Sequence, residues 1–348
     1  MMFCCEKCFK DSHIKRLFKD IKQKGKCDCC HSNDVSIISL DQDSGVMNCL
    51  LELLDIYKPS GKIRGKHVEE SLFDDWNIFS INKAQIKKLI RKVCIGRKVN
   101  SDILSNYVII PQLHDKDFLS EYSVTGGLSW SEFADYIKNV NRFHIDFNAV
   151  EFSSYLSSLV KVFPKGTVFY RGRIAKTKSG YNTDEMMAPK DYRPPGRVNP
   201  EGMLVLYLAL EPQTVLYEIR ANMYDFISIG KFEVQRDIRI VNLSGFDDIS
   251  PFDYIGGIEK YVANFKIFQD MAREIARPLR KHDSSLEYLP TQYITEFIKR
   301  EKYDGVGYKS TISNNGTNVA LFDETLVKCI SVKTKEVTNI EYKMSYNK

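Results

Sequence analysis

The sequence predicts an α+β chain: a mixed sheet in the C-terminal half, preceded by a small metal-bound segment and a mainly helical region. Three observations predict it. Two Cys-x-x-Cys pairs open the chain, at Cys5 and Cys8 and at Cys27 and Cys30. Apolar residues then recur at helical spacing from about residue 46 to about 160. From Thr167 onward the pattern changes to short apolar or alternating runs with helical stretches between them, which is how a sheet with peripheral helices reads.

In the first segment, residues 1–35, the two cysteine pairs stand 18 residues apart. Such knuckles let two thiolates from each turn close a tetrahedral shell around zinc, so Cys5, Cys8, Cys27 and Cys30 are the expected ligands of a structural Zn2+. Cys4, Cys29, His13 and His31 are alternative ligands, and a redox Cys-x-x-Cys is the competing reading. Ile14, Leu17, Phe18 and Ile21 predict a short helix between the knuckles. So short a segment has too little core to fold alone, which gives a metal staple its physical reason.

Residues 36–163 are expected to form a mainly helical domain. Val46, Leu50, Leu53 and Leu54 mark one helix. Asn82 caps another, with Ile86, Leu89, Ile90 and Val93 on one face, and Ser129 with Glu132 forms a capping box ahead of Phe133, Tyr136, Ile137 and Val140. Phe152, Leu156, Leu159 and Val160 mark a last helix, ending at Pro164-Lys165-Gly166, where a domain boundary is expected. Residues 167–330 then hold strands in TVFYRGR, MLVLYLAL, FISIGKFEV, IRIVNL, GVGYKS, NVALF and KCISVKT, with helices near Thr214–Asn222, Ile258–Leu279 and Thr291–Lys302. Residues 331–348 read as a terminal strand or tail.

The totals bound the function. At 348 residues, 43% apolar and 27% charged, the chain has ample core for about two domains. A net charge of +5 favours small anions but falls short of the basic stripe of a nucleic-acid binder, so a nucleic-acid partner is not expected. No run of about 18 apolar residues predicts a membrane span, and the N-terminus lacks the pattern of a signal peptide. Nine cysteines, six within the first thirty residues, fit metal chemistry in a reducing cytoplasm better than disulfides.

The stretch PPGRVNPEGMLVLYLALEPQTVLYEIR, from Pro194 to Arg220, joins a basic turn to an apolar strand and then to a short helix carrying Glu218. YRGR at Tyr170–Arg173 and DGVGYKS ending at Ser310 belong with it. An arginine, a glutamate and a serine in this order resemble the RES-domain family, over roughly Thr167 to Asp323. The zinc ribbon and helices before it resemble an extension, HEPN-like in part, that some RES proteins carry. The resemblance implies a sheet like that of ADP-ribosyltransferase toxins, NAD+ as substrate, and cleavage of the nicotinamide–ribose bond by hydrolysis or by transfer to phosphate. It also implies a toxin or antiphage defence effector that depletes NAD, with an antitoxin or self-association through the helical region. Carried over by residue, Arg171 and Arg197 match the anion-binding arginines, Tyr207 the strand tyrosine, Glu218 the motif glutamate and Ser310 the motif serine. Tyr170, Arg173, Asn199 and Asn318 are secondary substrate-binding candidates. Val198 departs from the tryptophan that many members place after the second arginine.

The residue types suit that chemistry. Guanidinium groups give paired, charge-assisted bonds to pyrophosphate oxygens. A carboxylate near the ribose favours the oxocarbenium ion over the neutral ground state. Other signals fail. No G-x-G-x-x-G follows a strand, so NAD would be a substrate and not a recycled cofactor. Gly61 to Lys66 is one residue short of a phosphate loop and is followed by His67. Arg277 and His282 have the spacing of a HEPN ribonuclease pair but lie outside the helical region, which makes that activity the weakest alternative. ADP-ribosylation of a macromolecule and a non-catalytic interaction role are the other two.

Overall fold

The computed structural model describes residues 1–61, 65–97, 102–188, 194–219, 221–254, 256–277, 284–310 and 316–340. Residues 62–64 of the false phosphate loop, Arg220, His282 and the last eight residues lie outside them. The chain divides into two compact units. One comprises Met1–Gly127, Phe147–Phe152 and Asp247–Lys266; the other comprises Leu128–Asp146, Ser153–Phe246 and Ile267–Lys348.

The chain begins with β1 (Phe3–Cys5), α1 (Ser12–Leu17), β2 (Lys24–Gly25) and β3 (Val35–Ser39). The strands form an antiparallel sheet in the order β1-β3-β2. Asp11 caps α1 by accepting the Ile14 N–H at 2.9 Å, and Ile14 and Phe18 are buried. Then come α2 (Gly45–Asp55), β4 (Lys58–Pro59), α3 (Val68–Asp74), α4 (Lys83–Arg97), α5 (Asp102–Ser105), β5 (Val108–Ile109) and α6 (Lys116–Tyr122). Asn82 caps α4 by accepting the Gln85 N–H at 3.0 Å, and the predicted stripe of Ile86, Leu89, Ile90 and Val93 is buried.

Next are α7 (Trp130–Asn139), opened by the Ser129–Glu132 capping box, α8 (Ala149–Leu159) and β6 (Val160–Phe163). The rest runs β7 (Val168–Ala175), β8 (Leu206–Ala209), α9 (Pro212–Glu218), β9 (Phe226–Val234), β10 (Ile238–Asn242), α10 (Ile258–Ala276), α11 (Leu289–Arg300), β11 (Gly305–Lys309), β12 (Thr317–Leu321) and β13 (Val327–Glu336). The fold is α+β, as the sequence predicts. Eight strands form one mixed sheet in the order β13-β9-β7-β8-β12-β11-β10-β6. Its pairs are antiparallel except β10 with β11, whose connection runs through α10 and α11, as a parallel crossover requires. Phe169, Leu206, Leu208, Phe232, Val319 and Leu321 anchor the core of this unit.

Two expectations are corrected. Val160 is not the end of a helix: Val160–Phe163 pairs with Ile238–Val241 as an edge strand. Nor does one cut at Pro164-Lys165-Gly166 describe the division. α7 and most of α8 belong to the unit of the large sheet, and the first part of α10 to the other. Pro164-Lys165-Gly166 is instead a turn between two strands of one sheet, with Gly166 at φ 86° and Thr167 N–H bonded to Pro164 O at 3.0 Å. The packing gives the reason: Tyr155 of α8 meets Phe268 edge-on at 4.5 Å, and Trp130 of α7 donates to Glu274. For residues 331–336 the strand of the two readings is the one observed, since β13 pairs along the whole of β9. Among the described residues no helix is long and apolar enough to cross a membrane.

Candidate active site

Strand register builds the floor of the site. Tyr170 stands opposite Ala209, Ala209 opposite Asn318, and Asn318 opposite Tyr308, a row across β7, β8, β12 and β11. Directly opposed residues share a face. Side chains alternate along β8, so Leu206 and Leu208 enter the core while Tyr207 joins the row's face. A cavity of about 320 Å3 lies there, lined among others by Tyr170, Arg171, Arg197, Tyr207, Glu218 and Asn318.

Glu218 is the last residue of α9, a helix opened by Pro212 and packed on β7 through Val215. A Cβ on Gly172 would come within 2.3 Å of Val215 Cγ1. The glycine of YRGR therefore sets how closely the helix bearing Glu218 approaches the strand bearing Arg171. Glu218 Oε1 accepts Ser310 Oγ at 2.8 Å and Asn318 Nδ2 at 2.8 Å. Two donors on one oxygen fix the carboxylate's orientation.

Arg197 sits in the GRVN turn. Its Nη1 donates to the carbonyls of Ile275 (2.9 Å) and Ala276 (3.0 Å), the negative end of α10, and its guanidinium lies 5.3 Å from the centre of the Tyr308 ring. Arg171 Nη1 donates to Met186 O at 2.7 Å. Burial, with Arg173 nearby, pushes the Arg171 guanidinium down to about 10, which leaves it cationic at neutral pH. Among the described residues neither arginine forms an ion pair with a carboxylate. Each guanidinium carries five N–H donors, so both keep donors for an anion.

The GRVN turn is held by α11. Thr291 donates to Arg197 O at 2.7 Å, Gln292 to Gly196 O (2.7 Å) and Asn199 O (2.9 Å), and Thr295 to Val198 O at 3.0 Å. All three side chains are buried. A Cβ on Gly196 would lie 2.5 Å from the Tyr207 hydroxyl, so the turn passes close over that ring. Tyr207 donates to Asn199 Oδ1 at 2.7 Å. Burial raises the phenol pKa of Tyr207, and pushes that of Tyr308 up to about 12, so both are neutral phenols.

Some predicted residues fall elsewhere. Asn199 spends its Nδ2 on the carbonyls of Pro194, Pro200 and Met203; it shapes the turn and does not line the cavity. Arg173 stacks over Tyr181 at 4.3 Å and donates to Glu185 O, also off the cavity. Ser310 reaches the site through Glu218. Val198 is fully buried. Sequence reasoning missed Tyr288 and Tyr308, which line the cavity, and the three α11 residues that hold the turn. Tyr308 was findable, because alternation puts it on the face of Ser310 two residues on.

In the other unit, the sulfurs of Cys5, Cys8, Cys27 and Cys30 lie within 4.8 Å of one another. Neighbouring sulfurs are 3.4 Å (Cys5–Cys30), 3.5 Å (Cys8–Cys27) and 4.0 Å (Cys5–Cys8) apart. A tetrahedron of Zn–S bonds has edges of about 3.8 Å. The backbone N–H groups of Cys29 and Cys30 both point at Cys27 Sγ at 3.4 Å, which favours a thiolate there. The four-sulfur group leaves out Cys4, Cys29, His13 and His31: burial raises the thiol pKa of Cys4, Cys29 lies beside Cys8 and Cys27 with its Sγ on Phe3 O, and His13 pairs with Asp253 at 2.7 Å.

Comparison with known proteins adds the following. The sequence finds no match among curated proteins. In structure, the chain is similar to a chain in the M. tuberculosis MbcT–MbcA toxin–antitoxin complex, at 12% identity and a TM-score of 0.31, over 52% of this chain and 90% of that one. The RES domain family model matches residues 171–344, half of the chain, beginning at the first site arginine and including Arg197, Glu218 and Ser310. The chain belongs to the RES domain family.

Proposed function

We propose that this chain cleaves the nicotinamide–ribose bond of NAD+, passing ADP-ribose to water or to phosphate. Membership of the RES family supports an NAD-acting, toxin-like enzyme in general. The observation that carries the finer reading is one carboxylate, Glu218, fixed by Ser310 and Asn318 in a cavity that two arginines without acidic partners also line. Arg171 and Arg197 bind the pyrophosphate, each charge-assisted bond contributing roughly 1.5–3 kcal/mol. As the C1′–N bond breaks, its electron pair goes to the ring nitrogen. Nicotinamide leaves neutral, and the positive charge moves to the ribose, where Glu218 stabilises it. The acceptor oxygen then attacks C1′ and loses its proton to solvent. No general acid is required, because the leaving ring starts as a cation.

Purified protein incubated with NAD+, with and without phosphate, is expected to release nicotinamide, and the acceptor shows in the product as ADP-ribose or its phosphate ester. Folded protein that releases none under either condition would refute the reading. The approach of α9 to β7 gives a second expectation. Gly172→Ala displaces the Glu218 helix, and misplacement on the order of 1 Å costs about 100-fold in rate. The variant is therefore expected to lose kcat/KM by about that factor with a native far-UV spectrum. Unchanged kinetics would show that the close packing does not set the carboxylate's position.

We further propose that Cys5, Cys8, Cys27 and Cys30 hold a structural zinc, on the strength of their sulfur spacing.

A further inference from the structure

Beside the cavity that holds Glu218 lies a second, of about 490 Å3. Tyr288 lines both. Between them stands the anchorage of Arg197: its guanidinium donates to Ile275 O and Ala276 O and its carbonyl accepts Thr291, while Glu274, Arg277 and Thr291 line the second cavity. The opposite wall is α7, with Trp130, Asp135 and Lys138. This helix lies outside the matched residues 171–344, so the cavity is completed by a part of the chain that the family match does not include.

The charge pattern selects the occupant. Three carboxyls, on Asp135, Glu274 and Glu287, line it with Lys138 and Arg277, and one oxygen of Glu274 already accepts the Trp130 indole N–H. Lys138 is already engaged, at 3.2 Å from Asp135 and 3.3 Å from Glu287. With carboxyls outnumbering cations three to two, such a lining favours donors over a phosphate. It offers acceptors to an amino group and to sugar hydroxyls, and an aromatic ring at its mouth to a flat heterocycle. The first cavity, near the low end of the roughly 300–1,000 Å3 range of small-molecule sites, suits one nucleoside of a dinucleotide and its pyrophosphate. The second, which shares Tyr288 with it and is lined by Thr291, which bonds the Arg197 carbonyl, is the room nearest at hand for the rest.

We propose that the second cavity receives the adenosine half of the dinucleotide, with Glu274 and Glu287 accepting from its amino and hydroxyl groups and Tyr288 at the junction. The inference rests on NAD+ as the substrate of the first cavity. Its test is binding, which does not require turnover. The full chain is titrated calorimetrically with ADP-ribose and with ribose 5-phosphate. ADP-ribose is expected to bind at least about tenfold more tightly, and Glu274→Gln to remove most of that preference while ribose 5-phosphate binds as before. Glu287→Ala, at a half-exposed position that tolerates truncation, is expected to act in the same direction and stands in should the Glu274 variant fail to fold. Equal affinity for the two ligands, or a preference untouched in a folded variant, overturns the proposal. An intact, Glu287-dependent preference in a protein that releases no nicotinamide supports this cavity and counts against the catalytic reading alone.

Discussion

Glu218→Gln is expected to lower kcat for nicotinamide release by about 100- to 1,000-fold, the usual cost of losing one preorganised electrostatic contact to the transition state. The amide keeps an oxygen where Ser310 and Asn318 donate, so the local packing survives. What is lost is the full negative charge opposite the ribose cation, and that charge matters little to the neutral sugar of the bound substrate. The affinity for NAD+ should therefore change little. Arg197→Ala gives the opposite pattern: a rise in KM of about 10- to 100-fold from the lost pyrophosphate contacts, with a smaller change in kcat. Steady-state kinetics on both variants check the division of labour. A Glu218→Gln enzyme with wild-type kcat removes the carboxylate from the chemistry.

Loss of the metal is the other large effect. Apparent zinc-binding energies of structural four-ligand sites are about 10–16 kcal/mol, equal to or above the whole stability of an ordinary domain. β1, β2 and β3 contribute only ten residues to their sheet, and their small core centres on Phe9, Ile14 and Phe18. Without the ion, what holds the knuckles is mainly the backbone bonds of Cys8 and Lys10 to Ser80 and Ile78 and the packing of Phe9 on Phe79, a smaller contribution. Cys8→Ser should reduce elemental zinc from about one per chain to near zero and abolish the cooperative thermal transition of that unit. Cys4→Ser and Cys29→Ser should retain the metal, because those thiols lie outside the cluster. A metal-free preparation of the unaltered chain that melts cooperatively would exclude the structural zinc.

Much of the site could be read from local sequence because its parts are local. YRGR and LYLA carry strand periodicity, Pro212 announces the start of the Glu218 helix, and Cys-x-x-Cys spacing is a short-range signal. The floor could not be read in this way. Its row joins residues 170, 209, 318 and 308, and only strand register places them side by side, through pairings of which one, Ala209 with Asn318, spans more than a hundred residues. The same holds for Arg197, whose orientation depends on the carbonyl end of a helix nearly eighty residues away. Thr291, Gln292 and Thr295 left a trace, polar residues on the buried side of an amphipathic helix, but nothing in the sequence named the turn they hold. The domain boundary was misplaced because Pro-Lys-Gly signals a turn, and a turn within a sheet looks the same locally as a linker between domains.

The order of strands across the sheet also means that the site is completed by the last third of the chain. β8 meets β7 at a single residue pair and takes the rest of its support from β12, which also carries Asn318. A chain made only as far as Glu218 therefore still lacks Asn318, one of the two donors that hold that carboxylate, and the strand that supports β8. On the proposed reading, a chain ending before Thr317 is expected to release no nicotinamide, however well its earlier strands fold.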